Sequence, residues 1–249
     1  AYIYPNSEFG CNWCNIIKNS ANIDGGGIYS DETSVLTFLA TIFNDNMAGV
    51  HGGGLYLNQI KGLGVGSDFF TNTLPSINRE EDQLHIINNK AGVHGGGLYT
   101  LQISNDETFN AQQYSGENCK NVHMCGYCGD DQCDPLIFID SNSAGYSGGG
   151  LFVNTINGGD NVDGNIYYEG LRISNNYIND AILNTNTTLY GHGCYPLEYR
   201  SHKRDLSGHQ CSGGGIVVDS KNIYNKNIQF ESSLIEKNSA LWNGGGILS

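Results

Sequence analysis

The chain has 249 residues, only 15% of them charged, and its formal net charge is −13 at pH 7. This excess of acidic residues argues against a partner rich in phosphate, such as a nucleic acid, and against an anionic membrane surface. Glycine and asparagine together make up about a quarter of the chain, which argues against long helices. No apolar run approaches the roughly 20 residues that a membrane-spanning helix needs, so no membrane span is predicted.

A triple glycine followed by Ile or Leu recurs along the chain, beginning at Gly25, Gly52, Gly95, Gly148, Gly213 and Gly244. An Asn-x-Ala element precedes five of the six triplets, with its asparagine at Asn19, Asn46, Asn89, Asn142 and Asn238. The repeat before Gly213 has Ser207 and His209 in the places of the asparagine and alanine. Self-similarity of this kind indicates a repeat protein.

Each repeat is predicted to consist of short strands. An apolar residue stands nine positions before the triplet in five repeats, at Ile16, Phe43, Ile86, Ile139 and Ile235. An Ile or Leu follows every triplet, at Ile28, Leu55, Leu98, Leu151, Ile216 and Ile247. The alternation around these residues has a period of two, which is typical of strands and not of helices. We therefore expect two inward-facing apolar columns.

Short strands that recur in every repeat predict an all-β fold, a single-stranded parallel β-helix of about six or more coils that forms one domain over residues 1–249. Equivalent residues of neighbouring coils then lie about 4.8 Å apart. The five asparagines are expected to form a hydrogen-bonded column and to adopt the left-handed backbone of a sharp corner. Disulfide-stapled insertions are expected at about 101–135, which is rich in cysteine, and at about 184–211.

The Gly-Gly-Gly-[Ile/Leu] and Ile/Phe-x-x-Asn elements resemble the Gly-Gly-Ala-[Ile/Leu/Val] and Phe-x-x-Asn repeats of chlamydial polymorphic outer membrane proteins. They are also similar to the broad class of right-handed β-helix repeat proteins of bacterial and protist surfaces. The resemblance implies a right-handed solenoid and an extracellular or cell-surface location. It implies no particular activity, because this fold carries adhesins, lyases and structural fibres alike.

The even number of cysteines predicts disulfide bonds in an oxidising compartment. The eight are Cys11, Cys14, Cys119, Cys125, Cys128, Cys133, Cys194 and Cys211. We expect Cys11 to pair with Cys14 and Cys194 with Cys211, while three pairings remain open for the other four. A zinc site formed by those four is the alternative. A single glycosylation sequon at Asn186 agrees with secretion.

Two further clusters of residues are candidate sites of chemistry. Asp130 and Asp131, and separately His192, lie in short segments that resemble segments of pectin-cleaving hydrolases. The mechanism of those enzymes needs two carboxyl groups, one as acid and one as base. Because the two aspartates lie within the cysteine-rich insertion, we expect no catalysis. Asp160 and Asp163 belong to a Gly/Asp-rich turn that is the one candidate for calcium, and no other cofactor is predicted.

Aromatic residues alternate with the inward column and are expected to face outward, at Tyr29, Tyr56, Tyr99 and Phe152. Such a ladder either reinforces the sheet through contacts between coils or binds carbohydrate or a neighbouring molecule. His51 and His94 share one repeat position just before a triplet and are expected to stack on the surface.

The two ends of the chain suggest self-association. The strand after the last triplet contains Ile247, Leu248 and Ser249, and a second copy is expected to continue that strand with Ala1, Tyr2, Ile3 and Tyr4. A head-to-tail contact that does not close makes a fibre. The copies are expected to join either noncovalently or as sections of one longer tandem chain. The predicted function is therefore an extracellular structural building block of a filament. The alternatives are an adhesin that binds glycans or host surfaces, and a polysaccharide hydrolase or lyase.

Overall fold

A computed structural model describes residues 1–31, 35–58, 62–65, 83–103, 124–126, 137–156, 166–179, 213–219, 228–231, 233–241 and 244–248. These residues form 24 β-strands in four parallel sheets and no helix. Accordingly, nothing within these ranges is a helix that could span a lipid bilayer.

We name the sheets A to D. Sheet A contains β1 (Tyr2–Ile3), β5 (Ile28–Ser30), β9 (Leu55–Asn58), β13 (Leu98–Ile103), β17 (Leu151–Ile156), β21 (Ile216–Asp219) and β24 (Ile247–Leu248). Sheet B contains β2 (Glu8–Asn12), β6 (Val35–Leu39), β10 (Gly62–Val65), β14 (Met124–Gly126), β18 (Ile166–Glu169) and β22 (Ile228–Glu231).

Sheet C contains β3 (Asn15–Ile17), β7 (Thr41–Asn44), β11 (Leu84–Ile87), β15 (Ile137–Asp140), β19 (Leu171–Ser174) and β23 (Leu234–Glu236). Sheet D contains β4 (Ser20–Ala21), β8 (Met47–Ala48), β12 (Lys90–Ala91), β16 (Ser143–Ala144) and β20 (Tyr177–Ile178), and Ser239 extends it by bridging to Tyr177.

Successive strands enter sheets A, B, C and D in that order, and the chain then returns to sheet A. We call each such round, together with the corner that follows it, a tier. Tier 1 therefore contains β1 to β4 and the corner with Asp24, and tier 6 contains β21 to Ser239 and the corner with Leu241. Strand β24 follows tier 6 and lies again in sheet A, which therefore has seven strands where sheets B and C have six. Each sheet thus has one edge formed by tier 1 and another formed by the last strands.

The core is built from side chains that occupy the same position in every tier. As predicted, the residues after the triplets are buried in tiers 2 to 6, and Phe43, Ile86 and Ile139 form a second buried column. Both columns belong to one hydrophobic cluster. Burial weakens at the ends, because no further tier covers the outermost residues, and Ile247 is 47% exposed.

Glycine is required in the triplets for two separate reasons. The first glycine of every triplet has a positive φ between 60° and 67°, a region that residues with a Cβ adopt at a cost. The second glycine allows neighbouring tiers to approach each other. At Gly96, for example, a Cβ would overlap the carbonyl oxygens of Ser143 and Gly149. Both reasons apply to the five triplets that begin at Gly25, Gly52, Gly95, Gly148 and Gly213, which explains why the motif recurs.

The left-handed residues of the corner between sheets C and D are not the asparagines that we expected. The positive φ values, 53° to 58°, fall on the residue just before each of them and on the residue before Asn176. These residues are Lys18, Asp45, Asn88, Ser141, Asn175 and Lys237. The side chain of the asparagine that follows makes hydrogen bonds to neighbouring tiers.

The structure also corrects the alignment of the repeats. The repeat before Gly213 does have its asparagine, Asn176, with Ile178 in place of alanine, and both pair in register with tier 4. Ser207 and His209, which we had aligned there, lie outside the described residues. The proposed insertion at about 101–135 is interrupted, since residues up to Ile103 belong to β13 and Met124–Gly126 form β14.

Candidate functional site

A column of asparagines joins the tiers at the corner between sheets C and D. We call it the asparagine ladder, and its members are Asn19, Asn46, Asn89, Asn142, Asn176 and Asn238. In each step, the backbone N–H and the Nδ2 of one asparagine both donate to the Oδ1 of the asparagine in the next tier. The N···O distances are between 2.9 and 3.0 Å.

A further hydrogen bond fixes each amide in the opposite direction. The Nδ2 of Asn89 also donates to the carbonyl oxygen of Phe43 in the tier before it, at 3.0 Å, and four other members make the same contact. Asn46, Asn89, Asn142 and Asn176 are completely buried. Buried amides are stable only when they are hydrogen-bonded, so each tier fixes the position of its neighbours.

The ladder has a direction, and its two ends are complementary. Among the described contacts, the Oδ1 of Asn19 accepts no hydrogen bond, although each equivalent oxygen in tiers 2 to 6 accepts two. At the other end, Asn238 donates only to the oxygen of Ile173, so that its backbone N–H has no described acceptor. Tier 1 therefore presents an acceptor, and tier 6 presents donors.

A stack of parallel rings runs along sheet A. This aromatic stack consists of Tyr2, Tyr29, Tyr56, Tyr99 and Phe152, with centroids between 4.8 and 5.3 Å apart and planes within 5° of parallel. Its rings lie outside the main core, as expected, but Tyr99 and Phe152 are buried rather than surface residues. Because neighbouring rings cover each other's faces, sugar rings cannot stack on them. The stack is thus a contact between tiers.

The two histidines continue this packing. The ring of His51 lies 5.1 Å from that of His94 and 4.6 Å from that of Tyr99, measured between centroids. The Nδ1 of His94 lies 2.7 Å from the Oγ of Ser147. Burial lowers the pKa of His51 to about 4. We expected these histidines on the surface, but His51 is largely buried and neutral at pH 7.

Exposed apolar side chains concentrate at the two ends of the tiers. In the described part of the chain, ten large apolar residues are exposed, and eight of them belong to tier 1, tier 6 or β24. Those of tier 1 are Tyr2, Tyr4, Trp13, Ile17 and Ile23, and those of the other end are Leu234, Leu241 and Ile247. Apolar surface of this kind is typical of a binding face when it is grouped.

Strands β1 and β24 lie at the two edges of sheet A. Tyr2 of β1 aligns with Tyr29, and Leu248 of β24 aligns with Val217. All four residues belong to one column of sheet A. Strands β1 and β24 thus occupy the same lateral position. The continuation of β24 by Ala1–Tyr4 of a second copy stays a prediction.

The disulfide between Cys11 and Cys14 is present, as predicted, and closes the corner between β2 and β3. Cys125 belongs to β14, and the remaining cysteines lie outside the described residues. The same is true of Asn186, of Asp130, Asp131 and His192, and of Asp160 and Asp163. Within the described ranges, no group of three His, Cys, Asp or Glu side chains could hold a metal ion.

Comparisons with known proteins give no relative: no family model, no curated protein and no solved structure matches this chain.

Proposed function

We propose that the protein is an extracellular structural protein, a right-handed parallel β-helix that serves as a rigid building block of a head-to-tail filament. The observation that carries the proposal is the direction of the asparagine ladder, in which each described asparagine donates to the asparagine of the next tier. A second copy in the same orientation matches acceptor to donor. Two identical ends placed together would match donor to donor or acceptor to acceptor, which favours an open and polar chain of copies.

Three further features support this function. The four sheets are visited in a fixed order, as in a β-helix, and all described strand pairs are parallel. Contacts between tiers are saturated in the middle of the molecule, where amides, rings and apolar columns all meet their equivalents. The disulfide agrees with an extracellular location.

The other two candidate functions have less support. The faces of the aromatic stack are occupied by neighbouring rings, so the described part of sheet A offers little surface for stacking a glycan. The candidate catalytic residues lie outside the described residues, and a polysaccharide hydrolase or lyase remains a prediction.

Light scattering and electron microscopy of the purified protein over a range of concentrations test this function. We expect unbranched filaments whose length grows with concentration and whose cross-section is that of one copy. Particles of a single mass at every concentration, without filaments, would contradict the proposal. Reduction of the sample is a useful control, because the Cys11–Cys14 corner lies in tier 1 and its opening should shorten the filaments.

A further inference from the structure

We propose that two copies of this chain pair side by side and antiparallel, through the flank formed by sheets C and D and the corner between them. We call this flank the C–D strip, and its residues are 15–21, 41–48, 84–91, 137–144, 171–178 and 234–239. The contact uses tiers 2 to 5, each of which has a described tier on both sides. It goes beyond the head-to-tail assembly and does not depend on it.

The C–D strip is the flank with the most uniform course. In every tier, two residues separate the strand of sheet C from the following residues of sheet D; β7, for example, ends at Asn44, and β8 begins at Met47. The longer connections between described strands leave from the other three corners. Two straight flanks of this kind can approach each other over several tiers.

The basic residues of this acidic chain are concentrated on the C–D strip. All four Lys and Arg residues of the described ranges lie there, together with three acidic residues: Lys18, Asp45, Lys90, Asp140, Arg172, Glu236 and Lys237. The other described acidic residues lie elsewhere, at Glu8, Asp24, Asp31, Glu169, Asp219 and Glu231. Because the chain has a net charge of −13, the C–D strip is the flank on which two copies repel each other least.

The charges of the C–D strip alternate in sign from tier to tier. Tier 2 carries Asp45, tier 3 carries Lys90, tier 4 carries Asp140 and tier 5 carries Arg172. A parallel pair in register would place like charges opposite each other. In an antiparallel pair in which tier 2 faces tier 5 and tier 3 faces tier 4, each of these tiers faces the opposite charge. Both copies then use the same surface, as two-fold symmetry requires.

Two of these charges have partners within the chain that preserve their sign. Burial acts against the charge of Asp140, but hydrogen bonds from Ser174 and two neighbouring side chains hold its pKa below the ordinary value. Arg172 donates to Glu236 at 2.8 Å, and Lys237 also lies 3.6 Å from that carboxylate. Two cations therefore share one anion, and the side chain of Arg172 is still 40% exposed.

Two exposed apolar side chains fix the same register. Met47 in tier 2 and Tyr177 in tier 5 are the large apolar residues that are exposed in the described part of tiers 2 to 5. They belong to one column of sheet D, with Lys90 and Ser143 between them. In the antiparallel pair, Met47 of each copy faces Tyr177 of the other, so a favourable contact between sulfur and ring forms twice.

The contact is small, and we therefore expect a reversible pair. Tiers 2 to 5 span only about 14 Å along the axis at 4.8 Å per tier, and a strand of sheet D has two residues. Such a surface is smaller than the interfaces of permanent dimers.

Cysteine cross-linking tests the orientation. A chain with Met47→Cys is mixed with a chain with Tyr177→Cys and treated with a short bismaleimide, and mass spectrometry identifies the linked peptides. We expect the two substituted positions to be linked to each other at least tenfold more often than either position to itself. A parallel pair in register gives the reverse result. Because the peptides are identified, links that involve the native cysteines are counted separately.

Met47→Asp tests the contribution of the apolar contact. It adds a second negative charge to tier 2 and removes the sulfur, so the dissociation constant of the pair in sedimentation experiments should rise roughly tenfold or more. Met47 is 50% exposed, so we expect the variant to fold, and thermal unfolding verifies this. The matched control is Ile23→Asp, at a residue that is 64% exposed but lies outside the C–D strip. This control should leave the pair unchanged.

Three results would overturn the inference. These are links of each position only to itself, equal weakening by the two aspartate variants, and the absence of both pairs and links at every concentration. The head-to-tail function is judged separately by electron microscopy. Single filaments without lateral pairs would support that function and contradict this inference, whereas antiparallel pairs without filaments would do the reverse.

Discussion

The middle and the ends of this molecule contain the same residues in the same register, yet these residues differ in what they contact. Asn89 in tier 3 is completely buried, accepts two hydrogen bonds and donates to two acceptors through its amide. Asn19 in tier 1 is exposed, and its Oδ1 accepts none of the described hydrogen bonds. The comparison shows that an asparagine here stabilises the fold only through the tiers on both sides of it, as in other repeat proteins.

The largest expected difference is between Asn89→Ala and Asn19→Ala. Removing the amide of Asn89 leaves the Asn46 backbone N–H, the Asn46 amide and the Phe43 carbonyl oxygen buried without their partner, which should cost about 4 kcal/mol. Removing the amide of Asn19 should cost less than about 1 kcal/mol, because its backbone N–H still donates to Asn46. Urea unfolding at a concentration below assembly measures both. Equal costs would show that the ladder does not act through neighbouring tiers.

The third glycine of the triplet gives a second comparison. A Cβ at Gly97 would lie 2.8 Å from the Nδ2 of Asn142 and 2.9 Å from the carbonyl oxygen of Gly150. At Gly246, the nearest atom is the Cγ2 of Ile235, at an ordinary 3.7 Å. Neither glycine has a positive φ, so the two sites differ in space and not in backbone conformation.

We therefore expect Gly97→Ala to destabilise the fold by about 3 kcal/mol through overpacking. Gly246→Ala should be neutral or stabilise it by about 0.5 kcal/mol, since alanine restricts the unfolded chain. Thermal unfolding of the two variants beside the wild-type chain measures this difference. A large loss at Gly246 would mean that the end of the molecule is packed as tightly as its middle.

The sequence predicted the parts of the fold that repeat with fixed spacing. The inward columns after the triplets and five members of the asparagine ladder could be read directly, because glycine, asparagine and apolar residues recur at the same distances. Asn176 was missed for two reasons: residues 180–212 separate it from its triplet, and Ile178 replaces the usual alanine.

Other features of the structure could not be predicted from the residue types. Lys, Asp, Asn and Ser all occupy the left-handed position before the ladder, because the corner imposes the backbone angle whatever the side chain is. The lateral position shared by β1 and β24 was equally hidden. It depends on lateral register, which is set by hydrogen bonds between strands and not by the distance between motifs.

The smallest expected effect concerns two equivalent positions of one column, Asp24 at the end of the molecule and His51 one tier further in. His51 in tier 2 is packed between rings, and burial lowers its pKa to about 4. The equivalent residue in tier 1 is Asp24, and burial raises its pKa. Between pH 6.5 and 4, the unfolded chain binds a proton at His51 that the folded chain does not bind. Stability therefore falls as the pH decreases through this window, by about 2 kcal/mol at pH 5.

Asp24 acts in the opposite direction, because a carboxyl group with a raised pKa favours the folded chain as the pH falls. The variants His51→Phe and Asp24→Asn separate the two contributions when the free energy of unfolding is measured from pH 7 to pH 4. His51→Phe should reduce the loss of stability at pH 5, since a phenyl ring can occupy the stack and does not titrate. Asp24→Asn should increase the loss at the acidic end. If His51→Phe loses as much stability as the wild-type chain, the ring of His51 is accessible to water and the column is open in tier 2 as well as at its end.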